Sequence, residues 1–152
     1  MKNRLALALI GSAALALVST AQAESVKIDP GQWKNTMTST RNGQTSAPHS
    51  GSHCVTQEDA DNFSTSVVAP FTSQQPNCSR TLFKETAKSL DFKYHCTGAS
   101  PATIEGSIKF DSSTHYSGTI KDKATAGGQP VENTFTMEGS RLGDCTGPPG
   151  MP

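Results

Sequence analysis

Leu90-Asp91-Phe92-Lys93-Tyr94-His95-Cys96 and, after a short gap, Ile104-Glu105-Gly106-Ser107-Ile108-Lys109-Phe110 are the stretches whose reading decides the fold. In both, apolar or small residues hold every second position and polar residues stand between them. That period of two is the signature of a strand with one buried and one wet face. Tyr116, Gly118 and Ile120 continue the pattern, followed by Val131, Phe135 and Met137. One apolar and one polar face per run describes an antiparallel sheet laid on a core.

The turns between these runs test the registers. Folding Cys78–Thr86 onto Ser89–Thr97 about Ala87 sets Cys78 opposite Cys96, Arg80 opposite Tyr94 and Leu82 opposite Phe92. Phe110 folded onto Tyr116 sets Ile108 opposite Gly118 and Gly106 opposite Ile120. Gly127-Gly128 supplies a two-residue turn that brings Phe135 to Ile120 and Met137 to Gly118. Asn42-Gly43 does the same earlier, setting Met37 opposite Pro48 and Trp33 opposite Ser52. Each register gathers apolar residues on one face, and a one-residue slip would scatter them. The expected architecture is mainly β: a curled antiparallel meander of about seven strands, a partly closed barrel rather than a sandwich, because nearly all connections are tight hairpins. Gly106 and Gly118 on the inner face leave room for curvature.

A single short helix is expected. Thr56-Gln57-Glu58-Asp59 reads as a capping box, with Ala60, Phe63 and Val67 on one stripe. Ser64 to Asn77, with Pro70 and Pro76, reads as the longest irregular connection. The tail 146–152, rich in Pro and Gly, continues neither strand nor helix and reads as flexible.

Residues 1–23 read as a signal peptide: Lys2 and Arg4, an uncharged apolar run from Leu5 to Val18, and Ala21-Gln22-Ala23 as a small-x-small cleavage site. Cleavage near Ala23 leaves one exported domain, 24–145, with a slight acidic excess. The apolar run is too short for a membrane span. No basic stripe points to nucleic acid. All four cysteines lie in the exported part, in no CxxC or zinc-knuckle spacing, and read as two structural disulfides. The Ala87-centred register pairs Cys78 with Cys96 and leaves Cys54 for Cys145. The rival is Cys54–Cys78 with Cys96–Cys145.

Pro30-Gly31-Gln32-Trp33, Cys54-Val55-Thr56-Gln57-Glu58-Asp59-Ala60, Cys78, Cys96 and Arg141-Leu142-Gly143-Asp144-Cys145, in that order, form a recognisable set. The set resembles a family of small proteobacterial exported proteins catalogued as domain of unknown function 3617, over Ile28 to Cys145. The resemblance implies a periplasmic setting and a disulfide-bearing β domain, and carries over no activity.

No catalytic arrangement is present: the chain has no G-x-S-x-G elbow and no H-E-x-x-H. Glu58 and Asp59 read as first-turn carboxylates favoured by the helix dipole. In the Asn42-Gly43 register His49 and His53 share an outward face, roughly 13 Å apart, too far to chelate one metal; no metal or cofactor is expected. Arg80 faces inward beside Tyr94, as a strand-end cation that snorkels to solvent or one that meets an anionic headgroup. Trp33 reads as a core anchor. Trp33, Arg80, Phe92, Tyr94, Ile108 and Tyr116 are the residues that would face a ligand on the concave side. The leading expectation is a non-enzymatic exported protein holding a small apolar or lipid-like ligand there. The alternative is a structural or interaction protein of the envelope, acting through its outer surface or a strand edge on an envelope partner. Oligomeric state is left open, and a small hydrolase is the remote third reading.

Overall fold

The computed structural model describes residues 25–73, 77–98 and 100–146. The signal peptide and the Pro/Gly tail read from the sequence fall outside them, apart from Thr146 at the tail's start. Eight strands follow in order: β1 (Gly31–Arg41), β2 (Gln44–Thr45), β3 (His49–Val55), β4 (Cys78–Thr86), β5 (Ser89–Cys96), β6 (Ala102–Ser112), β7 (His115–Ala126) and β8 (Gln129–Gly143). Two helices, α1 (Gln57–Asp61) and α2 (Phe63–Thr72), lie between β3 and β4. All strand pairings are antiparallel in one sheet, ordered β2-β1-β8-β7-β6-β5-β4, with β3 also pairing β1. The mainly β curled meander read from the alternation is the fold. β4 to β8 run as consecutive hairpins, and β1 then closes onto β8. Among the described residues the sheet does not close on itself: β2 and β3 form one edge and β4 the other.

Turn chemistry sets the hairpins. Asn42 and Gly43 (φ 47° and 84°) and Gly127 and Gly128 (φ 58° and 77°) all take left-handed conformations. That is the pattern of a type I′ turn, whose twist matches the strands it joins. Gly106↔Ile120, Ile108↔Gly118, Ile120↔Phe135 and Gly118↔Met137 are paired as the alternation requires.

Two registers differ from the sequence reading. In the β4–β5 hairpin Cys78↔Cys96 and Arg80↔Tyr94 hold, but a bulge follows and Phe83, not Leu82, stands opposite Phe92. The turn is a two-residue one at Ala87-Lys88, so one extra residue, Thr81, is absorbed mid-strand. Leu82 therefore points outward, 48% exposed. In the first hairpin the Asn42-Gly43 register holds at Thr40↔Thr45, then slips by one, giving Met37↔His49 and Trp33↔His53. The slip falls at Ala47-Pro48, where proline has no N–H for the ladder. His49 and His53 thus share the face of Trp33, not the outward face.

The helical segment is longer than the capping box alone suggests. α1 is capped as read: the Thr56 hydroxyl accepts from Asp59 N at 3.2 Å, and Thr56 N donates to Asp59 Oδ2 at 3.0 Å. The Thr56 hydroxyl also donates to Asp59 Oδ2 at 2.7 Å, and that bond, then the one from Thr56 N, holds the Asp59 carboxyl below the usual carboxylate range. The stretch read as irregular is largely α2, which contains Pro70. Pro70 comes two residues before the helix end, and burial of one face outweighs the lost bond. Phe63 packs edge-on against Phe110 and Tyr116, and Phe71 against Phe135. The sheet's concave face thus packs against a helix.

The core joins Val26, Ile28, Trp33, Leu90, Phe92, Ile104, Ile108 and Ile120 with Val68 of α2. Three glycines let this layer close. Gly106, Gly118 and Gly139 lie under Phe92, Ile108 and Tyr116, and a methyl group on any of them would meet those side chains inside van der Waals contact.

Candidate functional site

Four of the six residues expected to face a ligand are sealed in this core. Trp33 is 1% exposed, Phe92 1%, Ile108 0% and Tyr116 6%. Tyr116 stacks on Trp33 at 5.7 Å, and its hydroxyl donates to Asn35 Oδ1 at 3.1 Å. Burial pushes its phenol up to about 12. Tyr94 is half-buried with its ring 6.2 Å from that of Phe92. Arg80 is exposed, its guanidinium 4.7 Å from the centroid of Phe83. The set therefore divides into a filled interior and a rim where Arg80 lies on an aromatic ring, a cation–π contact of about 0.5–1 kcal/mol at an exposed site.

Apart from Cys78 and Cys96, the residues that carry the family resemblance converge on one corner, where β1 begins and β3 and β8 end. Trp33 Nε1 donates to Asp29 O at 2.9 Å, and Arg141 Nε donates to Pro30 O at 2.7 Å. Arg141 also pairs with Asp144. Gly31, at φ 145°, leaves no room for a Cβ against Gly143 O and the Arg141 guanidinium. Cys54 bonds to Cys145 across the same corner, and the Thr56–Asp59 cap follows directly. Every one of these groups closes the sheet or starts the helix. Cys78 bonds to Cys96 at the other end, as the hairpin register has it.

The outward face of the sheet is different in kind. Thr36, Thr38, Ser107, Lys109, Thr119 and Thr136 line an open groove of about 440 Å³ across β1, β8, β7 and β6. A second groove of about 440 Å³ adjoins it over β4 to β7, with Leu82, Lys84, Asp91 and Lys121 around the Lys93–Glu105 ion pair (3.5 Å). Ser107 and Thr119 belong to both. Alternation alone puts these residues outward, except Leu82 and Lys84, which the bulge at Thr81 turns to that face.

His115 also faces outward. Its Nδ1 lies 2.8 Å from Asp111 Oδ2 and its Nε2 3.1 Å from Glu138 Oε1. The hydrogen bond to Glu138, then that to Asp111, raises its pKa above the ordinary histidine value. With both ring nitrogens engaged, this imidazole serves as a charge clamp rather than a general base. Its stabilisation is fully present below about pH 6.5, the unfolded-state value, and is lost as pH rises through the raised folded-state value. Because the carboxylates are 70% and 63% exposed, the effect is screened to below about 1 kcal/mol. An NMR titration of His115 is expected to show a midpoint above the ordinary value, returning to it with Asp111→Asn and Glu138→Gln together. An ordinary midpoint in the unaltered protein would disprove the clamp.

Among the described residues no group of three His, Cys, Asp or Glu side chains is placed to hold a metal ion, and no helix is long and apolar enough to cross a membrane. Two disulfides fit an oxidising, exported environment. A family model described as "Protein of unknown function (DUF3617)" matches residues 28–145. No curated protein and no solved structure matches the chain.

Proposed function

The chain belongs to the DUF3617 family, whose description names no activity, and on its own geometry we propose that it is a non-enzymatic periplasmic protein that engages an envelope component through the outward face of its sheet. The observation that supports this reading is the occupied interior: α2 lies on the concave side, and the family's characteristic residues are committed to closing the fold. What stays accessible and shaped is the hydroxyl- and lysine-lined double groove, suited to an extended polar chain such as a glycan or a polypeptide. The basic and apolar start of the chain, ending in Ala21-Gln22-Ala23, supplies the export route.

A second reading, a small apolar ligand on the inner face, draws support from Met37, 40% exposed, next to half-buried Met137 and on the face that also carries Phe135. Two measurements separate them. Native mass spectrometry of protein taken from its own periplasm is expected to give the mass of the chain from Glu24 with both disulfides and nothing retained. A photoreactive residue at Thr38, Thr119 or Thr136 is expected to cross-link an envelope component in cells, and one at exposed Leu142 is not. A stoichiometric apolar molecule retained in the native mass, with no groove cross-link, would overturn the outward-face reading in favour of the inner one.

A further inference from the structure

The two edges of the sheet are not alike. β4 carries the bulge at Thr81 together with Arg80 and Lys84, devices that discourage another strand from adding there. β3 has none of them. Its ladder to β1 is regular from Gly31↔Val55 to Met37↔His49, it contains no Lys, Arg, Asp, Glu or Pro, and His49 to His53 are all exposed. Among the described residues β3 pairs only with β1, so its other edge is open.

The sequence along that edge, His49-Ser50-Gly51-Ser52-His53, reads the same in both directions. Antiparallel pairing of two copies about Gly51 sets Gly51 against Gly51, Ser50 against Ser52, and His49 against His53 twice. Four residues apart, both histidines lie on the same face of the strand, the face of Trp33, and pairing keeps them on one face of the joined sheet. Gly51 supports the same arrangement. Its φ is not in the left-handed region, and a Cβ there would meet nothing within 4 Å, so the single chain gives no reason for a glycine. Glycine inside a strand often marks close approach of another backbone, and here it also leaves space between the two imidazoles of each copy.

We propose that two copies of this protein pair edge to edge through β3 about Gly51, and that each of the two resulting His49–His53 pairs between copies forms a site for a late first-row metal ion such as Zn²⁺. Residues directly opposite across an antiparallel pair have Cβ atoms about 4.5–5.5 Å apart. That spacing lets two imidazoles reach one ion at Zn–N distances of about 2.0–2.1 Å, which His49 and His53 of one copy, separated along the strand, cannot do. Imidazole nitrogen suits zinc and copper alike. Met37, opposite His49 on β1, adds a thioether on the same face.

The test is sedimentation velocity of the disulfide-intact chain with EDTA, with Zn²⁺ and with Cu²⁺. The expected result is a monomer–dimer equilibrium drawn toward dimer by about tenfold or more in affinity on adding metal, a shift set by the preference of the ion for the paired state. EDTA is expected to reverse it. His49→Ala with His53→Ala removes the metal response. Ser50→Lys with Ser52→Lys sets lysines against one another across the dyad and abolishes the dimer with or without metal, while circular dichroism shows the fold intact. A chain that stays monomeric under all these conditions overturns the proposal, as does a dimer that survives the lysine pair. Neither result bears on the outward groove, which does not involve β3.

Discussion

Removing the Cys54–Cys145 bond, by Cys54→Ser with Cys145→Ser, is expected to destabilise the domain by about 4.5 kcal/mol, against about 3 kcal/mol for Cys78→Ser with Cys96→Ser. The order follows from the chain each bond constrains when unfolded: the sequence separations are 91 and 18. Placement reinforces it. Cys78 and Cys96 are already partners in a hairpin ladder, which holds them together without help. Cys54 and Cys145 join the edge strand β3 to the chain beyond β8, across a corner otherwise held by Arg141, Pro30 and Trp33. With net stability for a domain of this size at about 5–15 kcal/mol, loss of the longer link brings the protein close to unfolding. Urea unfolding of the two double variants, compared at their midpoints, checks the order. A larger loss for Cys78–Cys96 would show that the corner is held by its hydrogen bonds and packing rather than by the disulfide.

The second large effect is expected at Phe92 and Gly106. Phe92→Ala removes a ring that is 1% exposed and is expected to cost about 3–5 kcal/mol in lost burial and residual cavity. Gly106→Ala puts a methyl group inside contact distance of the same ring and is expected to cost about 1–3 kcal/mol by overpacking. The two are coupled because the ring occupies the space that a Cβ at position 106 would need. In the Phe92→Ala background Gly106→Ala is therefore expected to be nearly neutral, a coupling of about 1–3 kcal/mol in a double-mutant cycle. Simple additivity of the two changes would mean that the ring does not lie over Gly106. The same logic places Gly139 under Tyr116 and Gly118 beside Ile108. The curled sheet closes partly because three large inner side chains, Phe92, Ile108 and Tyr116, each find a glycine on the next strand.

The alternation of Ile104 to Phe110 and of Tyr116 to Ile120, together with Gly127-Gly128, was enough by itself to determine the β6–β7 and β7–β8 hairpins and their registers, and with Leu90 to Cys96 the inner face of β5 to β8. Local chemistry was also enough for the Thr56–Asp59 cap and, through the hairpin register, for the Cys78–Cys96 bond, which left Cys54 to Cys145 only by remainder. Those features depend on neighbours in sequence, where a period of two and a turn type leave few alternatives. Three things were decided only in the tertiary structure. The bulge at Thr81 turned Leu82 outward, and the slip at Ala47-Pro48 moved His49 and His53 to the face of Trp33, because one extra residue reverses a strand's faces and no periodicity reveals where it will be absorbed. α2 formed through Pro70 because burying Phe63, Val67, Val68 and Phe71 against the sheet outweighs one missing backbone bond. The pairing of β1 with β8 joined residues about a hundred positions apart, and it is held by Arg141, Gly31 and the Cys54–Cys145 bond rather than by any local signal. That long-range closure, with the helix laid inside it, turned Trp33, Phe92, Ile108 and Tyr116 from candidate ligand contacts into core.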